Sequence, residues 1–335
     1  MTYANSSARL TPTKTPTKMN ARSFIASSSG RPFMTSLTPS IAGNERAFVR
    51  EFARALGDAG ACTRPRVWRQ AQASQLAFRF RPGAGQPVVG LHGLGSVGGD
   101  LEAVGAALPG VPMALVDLPG FGASPGPLCG LSGAVTAVLG VLDALGWERP
   151  VWLGCSFGGH VALRAALDTP WRVGALVLAD SGGLDPDPNP ALRAAFSEAA
   201  LRGRAPADVA RSLDALVARP SALTRAFRAR RLAAHAAGAD YAGVAEAACA
   251  ALDDDAGRRL HEVGVPVELV HGERDAMVPL AMARSAELRL PRARLTVLPG
   301  VGHMPWLEAP TEVAARVACA RARSARTTPS TTGDM

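Results

Sequence analysis

Short apolar runs alternate with longer amphipathic stretches through most of the chain. Pro87–Leu91, Met113–Asp117, Pro150–Gly154, Val173–Ala179, Val267–Val270 and Leu295–Leu298 are the apolar runs. Runs this short and this uniformly apolar suit strands buried on both faces. Between them, Leu101–Leu108, Leu131–Leu145, Phe157–Leu167, 279–288 and 308–322 repeat apolar residues every three or four positions. That spacing predicts helices with one buried face. Alternating strands and helices make βαβ units, so the expected fold class is α/β: a mostly parallel central sheet with helices on both faces. Val67–Trp68 and Leu76–Phe80 predict an antiparallel lead-in. Asn44–Leu56, with Phe48, Phe52 and Leu56 four apart, predicts a helix.

The rhythm breaks over 185–255. This interval opens with Asp185-Pro186-Asp187-Pro188-Asn189-Pro190, continues as Ala/Arg-rich helical sequence, and holds no apolar strand. It is expected to be a helical lid inserted into a core made of 41–184 and 256–325, closing near Asp253-Asp254-Asp255. Residues 1–40 are rich in Ser, Thr and Pro and repeat Thr-Pro-Thr-Lys over 11–18. The expectation is a disordered basic tail, with 326–335 a flexible C-terminus. The tail has the composition of an organelle transit peptide. The other reading is an over-extended start, with Met19 or Met34 as the initiator.

Composition changes the picture in three places. At 335 residues and 47% hydrophobic, the chain can bury a large core, and no run of 18 apolar residues predicts a membrane span. The five cysteines, Cys62, Cys129, Cys155, Cys249 and Cys319, are scattered without Cys-x-x-Cys spacing. That pattern predicts free thiols in a reducing, cytoplasmic setting and no zinc site. The net charge of +8 is concentrated in the tail, where Arg9, Lys14, Lys18, Arg22 and Arg31 stand without an acid. The body is close to balanced and has no basic run interleaved with aromatics, which argues against nucleic acid as a partner. Both lysines lie in the tail, so the body offers none for catalysis.

The candidate chemistry centres on Gly154-Cys155-Ser156-Phe157-Gly158, which joins an apolar run to an amphipathic one. A serine at the apex of a sharp strand–turn–helix has a strained backbone and a hydroxyl clear of the sheet. Gly122-Ala123-Ser124-Pro125-Gly126 matches the same pattern. It fails because the residue after the nucleophile must donate an N–H, and Pro125 has none. In this elbow the chain order is Ser, acid, His. His303 follows the last apolar run in Leu298-Pro299-Gly300-Val301-Gly302-His303 and is the expected base. His160, on the exit helix, reads as structural or lid-facing, His235 and His261 as surface residues, and His271 as a packed turn histidine. Asp275, after Val267–Val270, is the expected orienting acid. Asp180, at the end of Val173–Ala179, is the rival that some elbow hydrolases would favour, and Glu273 reads as half of a surface ion pair with Arg274. The backbone N–H groups of Leu94, in His92-Gly93-Leu94-Gly95, and of Phe157 are the expected oxyanion donors. Asp117–Ser124 reads as a structural turn, and Cys155 as buried and inert.

Together, the His-Gly-x-Gly loop, Asp-x-Pro-Gly-x-Gly-x-Ser, Gly-x-Ser-x-Gly-Gly, His-Gly-x-x-Asp and the terminal Gly-His-x-Pro resemble the α/β-hydrolase superfamily in its helical-lid branch, over about residues 75–320. The resemblance implies a serine hydrolase with a Ser156–His303–Asp275 triad, acting on a small-molecule acyl substrate without metal or cofactor. Thioesterase, lactonase or carbon–carbon bond hydrolase activity on the same residues stays open, as does a non-enzymatic ligand-binding protein of the same fold. The family's dehalogenases and epoxide hydrolases carry an aspartate where Ser156 stands, and epoxide hydrolases need two lid tyrosines where this lid has Tyr241 alone. The plant-type hydroxynitrile lyases need a lysine that this body lacks. Arg225, Arg228, Arg230 and Arg231 read as a solvated helix face, with steering of an anionic substrate as the alternative.

Overall fold

The computed structural model describes residues 68–187, 194–239 and 241–326. The predicted helix over Asn44–Leu56, the tail 1–40 and the C-terminal 327–335 lie outside the described residues. The hairpin of β1 (Arg69–Ala73) and β2 (Leu76–Arg81) comes first. Its turn places Ser74 and Gln75 at φ 50° and 65°, the two left-handed residues that a tight hairpin needs. Of the expected strand Val67–Trp68, Val67 lies outside the described residues and Trp68 precedes β1, so the described strand starts at Arg69. Arg-Gln-Ala-Gln-Ala is a largely exposed edge strand, and no apolar run marks it.

The core then runs β3 (Val88–Leu91), α1 (Glu102–Ala106), β4 (Met113–Val116), α2 (Gly130–Ala144), β5 (Val151–Cys155), α3 (Phe157–Asp168) and β6 (Ala175–Ala179). After β6 come, among the described residues, the helices α4 (Glu198–Arg202), α5 (Pro206–Ala215), α6 (Ala222–Ala236) and α7 (Ala242–Asp253). The chain returns to the sheet with β7 (Val267–Gly272), α8 (Leu280–Arg289), β8 (Ala293–Leu298), α9 (Pro305–Glu308) and α10 (Pro310–Ala325). The predicted helix Leu101–Leu108 forms as α1, preceded by a 3-10 turn over 98–101, while 308–322 divides at Ala309, because Pro310 has no N–H to continue a helix.

Spatial order in the eight-stranded sheet is β1-β2-β4-β3-β5-β6-β7-β8. The β1–β2 and β2–β4 pairs are antiparallel and all others parallel. Alternate residues of one strand enter different apolar layers. Trp152 joins the layer under α2 and α3, while Val151 and Leu153 join the one under α1 and α10. Burial on both faces is why these strands read as continuous apolar runs. Each fully buried Val or Leu contributes about 1.5–3 kcal/mol. The register puts the C-terminal ends of β3, β5, β6, β7 and β8 along one edge, with Leu91 beside Gly154, Cys155 beside Ala179, and Gly272 beside Leu298.

Candidate active site

Ser156 follows β5 directly and takes φ 50°, ψ −116°, a conformation that costs about 1–3 kcal/mol and must be imposed by its surroundings. Its N–H donates to Ala179 O (2.9 Å), and its carbonyl accepts from Gly182 (3.0 Å). Two glycines permit this packing. A Cβ at Gly158 would lie 2.3 Å from the Leu91 carbonyl oxygen, and one at Gly154 would lie 2.4 Å from Gly159 Cα. The apex therefore sits tight against β3, and no larger residue fits at either position.

The structure brings Ser156, His303 and Asp275 together. His303 Nε2 is 3.1 Å from Ser156 Oγ, and His303 Nδ1 is 2.8 Å from Asp275 Oδ2. The other Asp275 oxygen accepts the Met277 and Val278 N–H groups (2.7 and 2.9 Å), which fixes the carboxylate plane. Burial works against ionising Asp275, but the His303 hydrogen bond and these N–H donors outweigh it and hold the carboxyl below its usual range. Cys155 is fully buried, and burial pushes its thiol well up, so it is a packed apolar residue.

The loop after β3 lies over Ser156, since a Cβ at Gly93 would stand 3.1 Å from Ser156 Cβ. His92 holds this loop in place. Its Nε2 accepts the Leu118 N–H (3.0 Å), so Nδ1 bears the proton and donates to Gly93 O (2.8 Å). Burial pushes the His92 imidazole toward that neutral form. No acceptor among the described residues takes the Leu94 N–H. The Phe157 N–H belongs to the first turn of α3, where helix geometry leaves donors unpaired. The Phe157 N–H adjoins Ser156, and Leu94 follows Gly93, whose backbone packs on the apex.

The rival residues have other employment. Ser124 Oγ donates to Asp117 O (2.6 Å) and accepts the Ala77 N–H (2.8 Å). The Asp117 carboxylate accepts from Gly98 and Ala123 (2.7 and 3.0 Å), so the Asp117–Ser124 turn is structural. Glu273 accepts the Gly300 N–H (2.9 Å) rather than pairing with Arg274, because its side chain turns to the β8 loop. His235 is half-buried rather than a surface residue. It bonds Tyr241 Oη (2.6 Å) and Arg204 O (3.1 Å) because the start of α7 and the α4–α5 connection pack against the end of α6. His160 pairs with Asp254 (2.9 Å), and His271 donates from Nε2 to Val278 O (2.8 Å). His261 is exposed. Asp180 is fully buried beside Asp275, at φ 43°.

The arginines of α6 separate by partner. Arg228 is bidentate to Asp214 (2.6 and 3.0 Å), Arg230 pairs with Asp100 (2.6 Å) over the Phe227 ring, and Arg225 is exposed. Arg231 is half-buried and lies against the loop after β3, where a Cβ at Gly95 would meet its Nη2 at 2.8 Å and its Cζ at 2.9 Å. No carboxylate among the described residues pairs with it.

Sequence reasoning missed Glu308. Its carboxylate accepts N–H groups from Gly302 (3.1 Å), Met304 (3.3 Å), Ala218 (3.0 Å) and Arg219 (2.6 Å). It clamps the loop on either side of His303 to the α5–α6 connection, and the His303 N–H adds a bond to Leu216 O (2.8 Å). The available signal was a glutamate five residues after His303, placed to cap a Gly-rich loop.

Comparison with known proteins agrees with this architecture. The profile of the alpha/beta hydrolase family matches residues 88–316. A 2-hydroxy-6-oxononadienedioate/2-hydroxy-6-oxononatrienedioate hydrolase of Paraburkholderia phymatum is 32% identical over 198 residues, 56% of this chain and 69% of the relative. A pimeloyl-[acyl-carrier protein] methyl ester esterase of Aromatoleum aromaticum is 34% identical over 51% of this chain and 75% of that one. An esterase structure from Exiguobacterium antarcticum superposes with TM-score 0.66 at 21% identity, covering 76% of this chain and all of the other.

Proposed function

The chain belongs to the alpha/beta hydrolase family, and on that premise we propose that it is a serine hydrolase cleaving a carboxylic ester or related acyl bond through an acyl-enzyme on Ser156. One observation carries this reading: the unbroken path from Ser156 Oγ to His303 Nε2 (3.1 Å) and from His303 Nδ1 to Asp275 Oδ2 (2.8 Å). As Ser156 Oγ attacks a carbonyl carbon, His303 Nε2 takes its proton. Asp275 keeps the Nδ1–H tautomer and stabilises the imidazolium. The Leu94 and Phe157 N–H groups receive the oxyanion where charge develops. His303 returns the proton to the leaving group, then draws one from water, whose attack releases the acid and restores Ser156.

In this reading residues 185–255 form the lid of the site. The bonds from the α5–α6 connection to His303 and Glu308 support it, as does Arg231 of α6 over Gly95. Arg231 also indicates the substrate's charge. A half-buried guanidinium without a carboxylate partner, beside the oxyanion loop, suits a substrate that brings its own carboxylate. A second reading, carbon–carbon bond hydrolysis at the same residues, draws support from the Paraburkholderia relative, whose named substrate is an oxo dioate.

A substrate panel with and without Arg231 tests the charge. Arg231→Gln should lower kcat/KM about 10–100-fold for half-esters of dicarboxylic acids, the worth of a charge-assisted hydrogen bond, and leave matched neutral esters within about 3-fold. Equal losses on both would remove Arg231 from substrate recognition. Turnover of 2-hydroxy-6-oxo-dienedioates well above every ester would favour the second reading.

A further inference from the structure

Behind the Ser156–His303–Asp275 path lies a second buried carboxyl, Asp180, at the end of β6. One side-chain polar atom from each of Asp180, Asp275 and His303 lies within 4.8 Å of the other two. Asp180 Oδ1 accepts the Gly272 N–H (2.8 Å) and stands 3.3 Å from His271 Nδ1. Oδ2 is buried and has no hydrogen-bond partner among the described residues.

His271 decides how this carboxyl must be protonated. Its Nε2 faces the Val278 carbonyl at 2.8 Å, and a carbonyl only accepts, so the ring proton is on Nε2. Burial pushes the His271 imidazole toward its neutral form, which leaves a lone pair on Nδ1 facing Asp180 Oδ1. An ionised Asp180 would set an anion against that lone pair and against the ionised Asp275 in a fully buried pocket. The other groups around it give no cation to offset this. Gly272 offers one N–H, Cys155 a thiol, and Glu308 a further negative charge, while His303 is engaged by Asp275 and Ser156. Burial first, and the Asp275 charge second, push the Asp180 carboxyl well up.

We propose that Asp180 is held as a neutral carboxylic acid that donates its proton within the Asp275–His271 cluster, positions Asp275, and stands in as the partner of His303 when Asp275 is lost. This inference rests on the reading that Asp275 serves His303. Neutral Asp180 supplies an O–H from Oδ1 to the His271 Nδ1 lone pair at 3.3 Å, and it removes the second negative charge beside Asp275. In Asp275→Asn, the same carboxyl, once deprotonated, is the remaining anion within reach of His303. Asp180 is thus a positioning residue in the native chain, and its ionised form matters only in that variant.

The test uses ester hydrolysis and infrared spectroscopy on the full chain. Asp275→Asn should retain more activity than the roughly 10⁴-fold loss typical when a triad's acid is replaced. Its residual kcat/KM should climb at higher pH than in the native enzyme, because Asp180 must first lose its proton. Asp180→Asn should lower kcat/KM about 10-fold in the native background and at least about 100-fold in the Asp275→Asn background, abolishing that rise. The native protein at neutral pH should show the C=O band of a protonated, buried carboxylic acid, absent in Asp180→Asn. Equal effects of Asp180→Asn in both backgrounds, or no such band in the native protein, overturn the proposal. Full activity in Asp275→Asn and in the double variant alike would instead overturn the triad reading beneath it. If Asp180→Asn fails to fold, the pH profile of Asp275→Asn decides alone, since a profile unshifted from the native one overturns the stand-in role.

Discussion

The molecule holds two buried histidine–aspartate pairs of almost the same geometry. His303 Nδ1 lies 2.8 Å from Asp275, and His160 Nε2 lies 2.9 Å from Asp254. His160 lies four residues after Ser156 and His303 faces its hydroxyl, and neither pair is exposed. What separates them is the third partner. His303 uses Nδ1 for the acid, so Nε2 is left to face Ser156 Oγ. His160 spends Nε2 on Asp254, and its ring is wedged against Gly183, where a Cβ would stand 2.4 Å from Cδ2. The acids differ too. Asp275 takes two backbone N–H groups on its other oxygen, whereas Asp254 takes Arg164 (3.2 Å). Arg164 and His160 lie on α3, so Asp254 fastens the end of the inserted helices to the helix that follows Ser156. In the proposed reading one pair passes a proton and the other anchors a segment, and the pairing distance alone does not tell them apart.

The comparison is broken most severely at His303. His303→Ala should reduce ester turnover by at least about 10³-fold while the thermal midpoint stays within a few degrees of the native value. His160→Ala should do the reverse. It leaves the buried Asp254 short of a donor and should lower stability by about 1–3 kcal/mol, with kcat/KM within about 10-fold of native, as read by denaturant unfolding beside steady-state kinetics. Equal activity losses from both would mean that the third partner does not distinguish the pairs.

A finer separation comes from pH. Burial opposes ionising Asp254, but hydrogen bonds from His160, Ala256 and Arg164 hold its pKa down at about 2, below the usual value of about 3.9. A carboxyl depressed in the folded state stabilises the fold above its unfolded pKa, and that contribution is lost as pH falls toward the folded one. The native chain should therefore lose thermal stability between about pH 4 and pH 2 more steeply than Asp254→Asn does. Parallel curves would show that Asp254 is not the clamp described here.

Much of this was legible in the sequence because β3, β5, β6 and β7 are buried on both faces and announce themselves as apolar runs. Ser156 stands out from Ser124 by the missing N–H at Pro125 and by the apolar strand that precedes it, and the structure gives Ser124 a hydrogen-bonded structural place. The arginines could not be sorted in advance, since only folding shows that Arg228 and Arg230 meet Asp214 and Asp100 while Arg231 meets the loop at Gly95. Glu308 escaped notice for a related reason: a carboxylate that gathers backbone N–H groups leaves no periodic trace. The hairpin strand β1 was missed because an exposed edge strand needs no apolar residues. Asp180 and Asp275 looked like alternatives along the chain, and the fold puts both within 4.8 Å of the same cluster.

The central claim is that Ser156 carries the acyl group. Rapid quenching of the enzyme during turnover of an activated ester, followed by peptide mass spectrometry, tests it directly. The account predicts a mass increase equal to the acyl group on the peptide containing Ser156, absent in Ser156→Ala together with nearly all turnover. Ester turnover that persists in Ser156→Ala, or that leaves no acyl mass on Ser156 under conditions where acylation outruns deacylation, would contradict it.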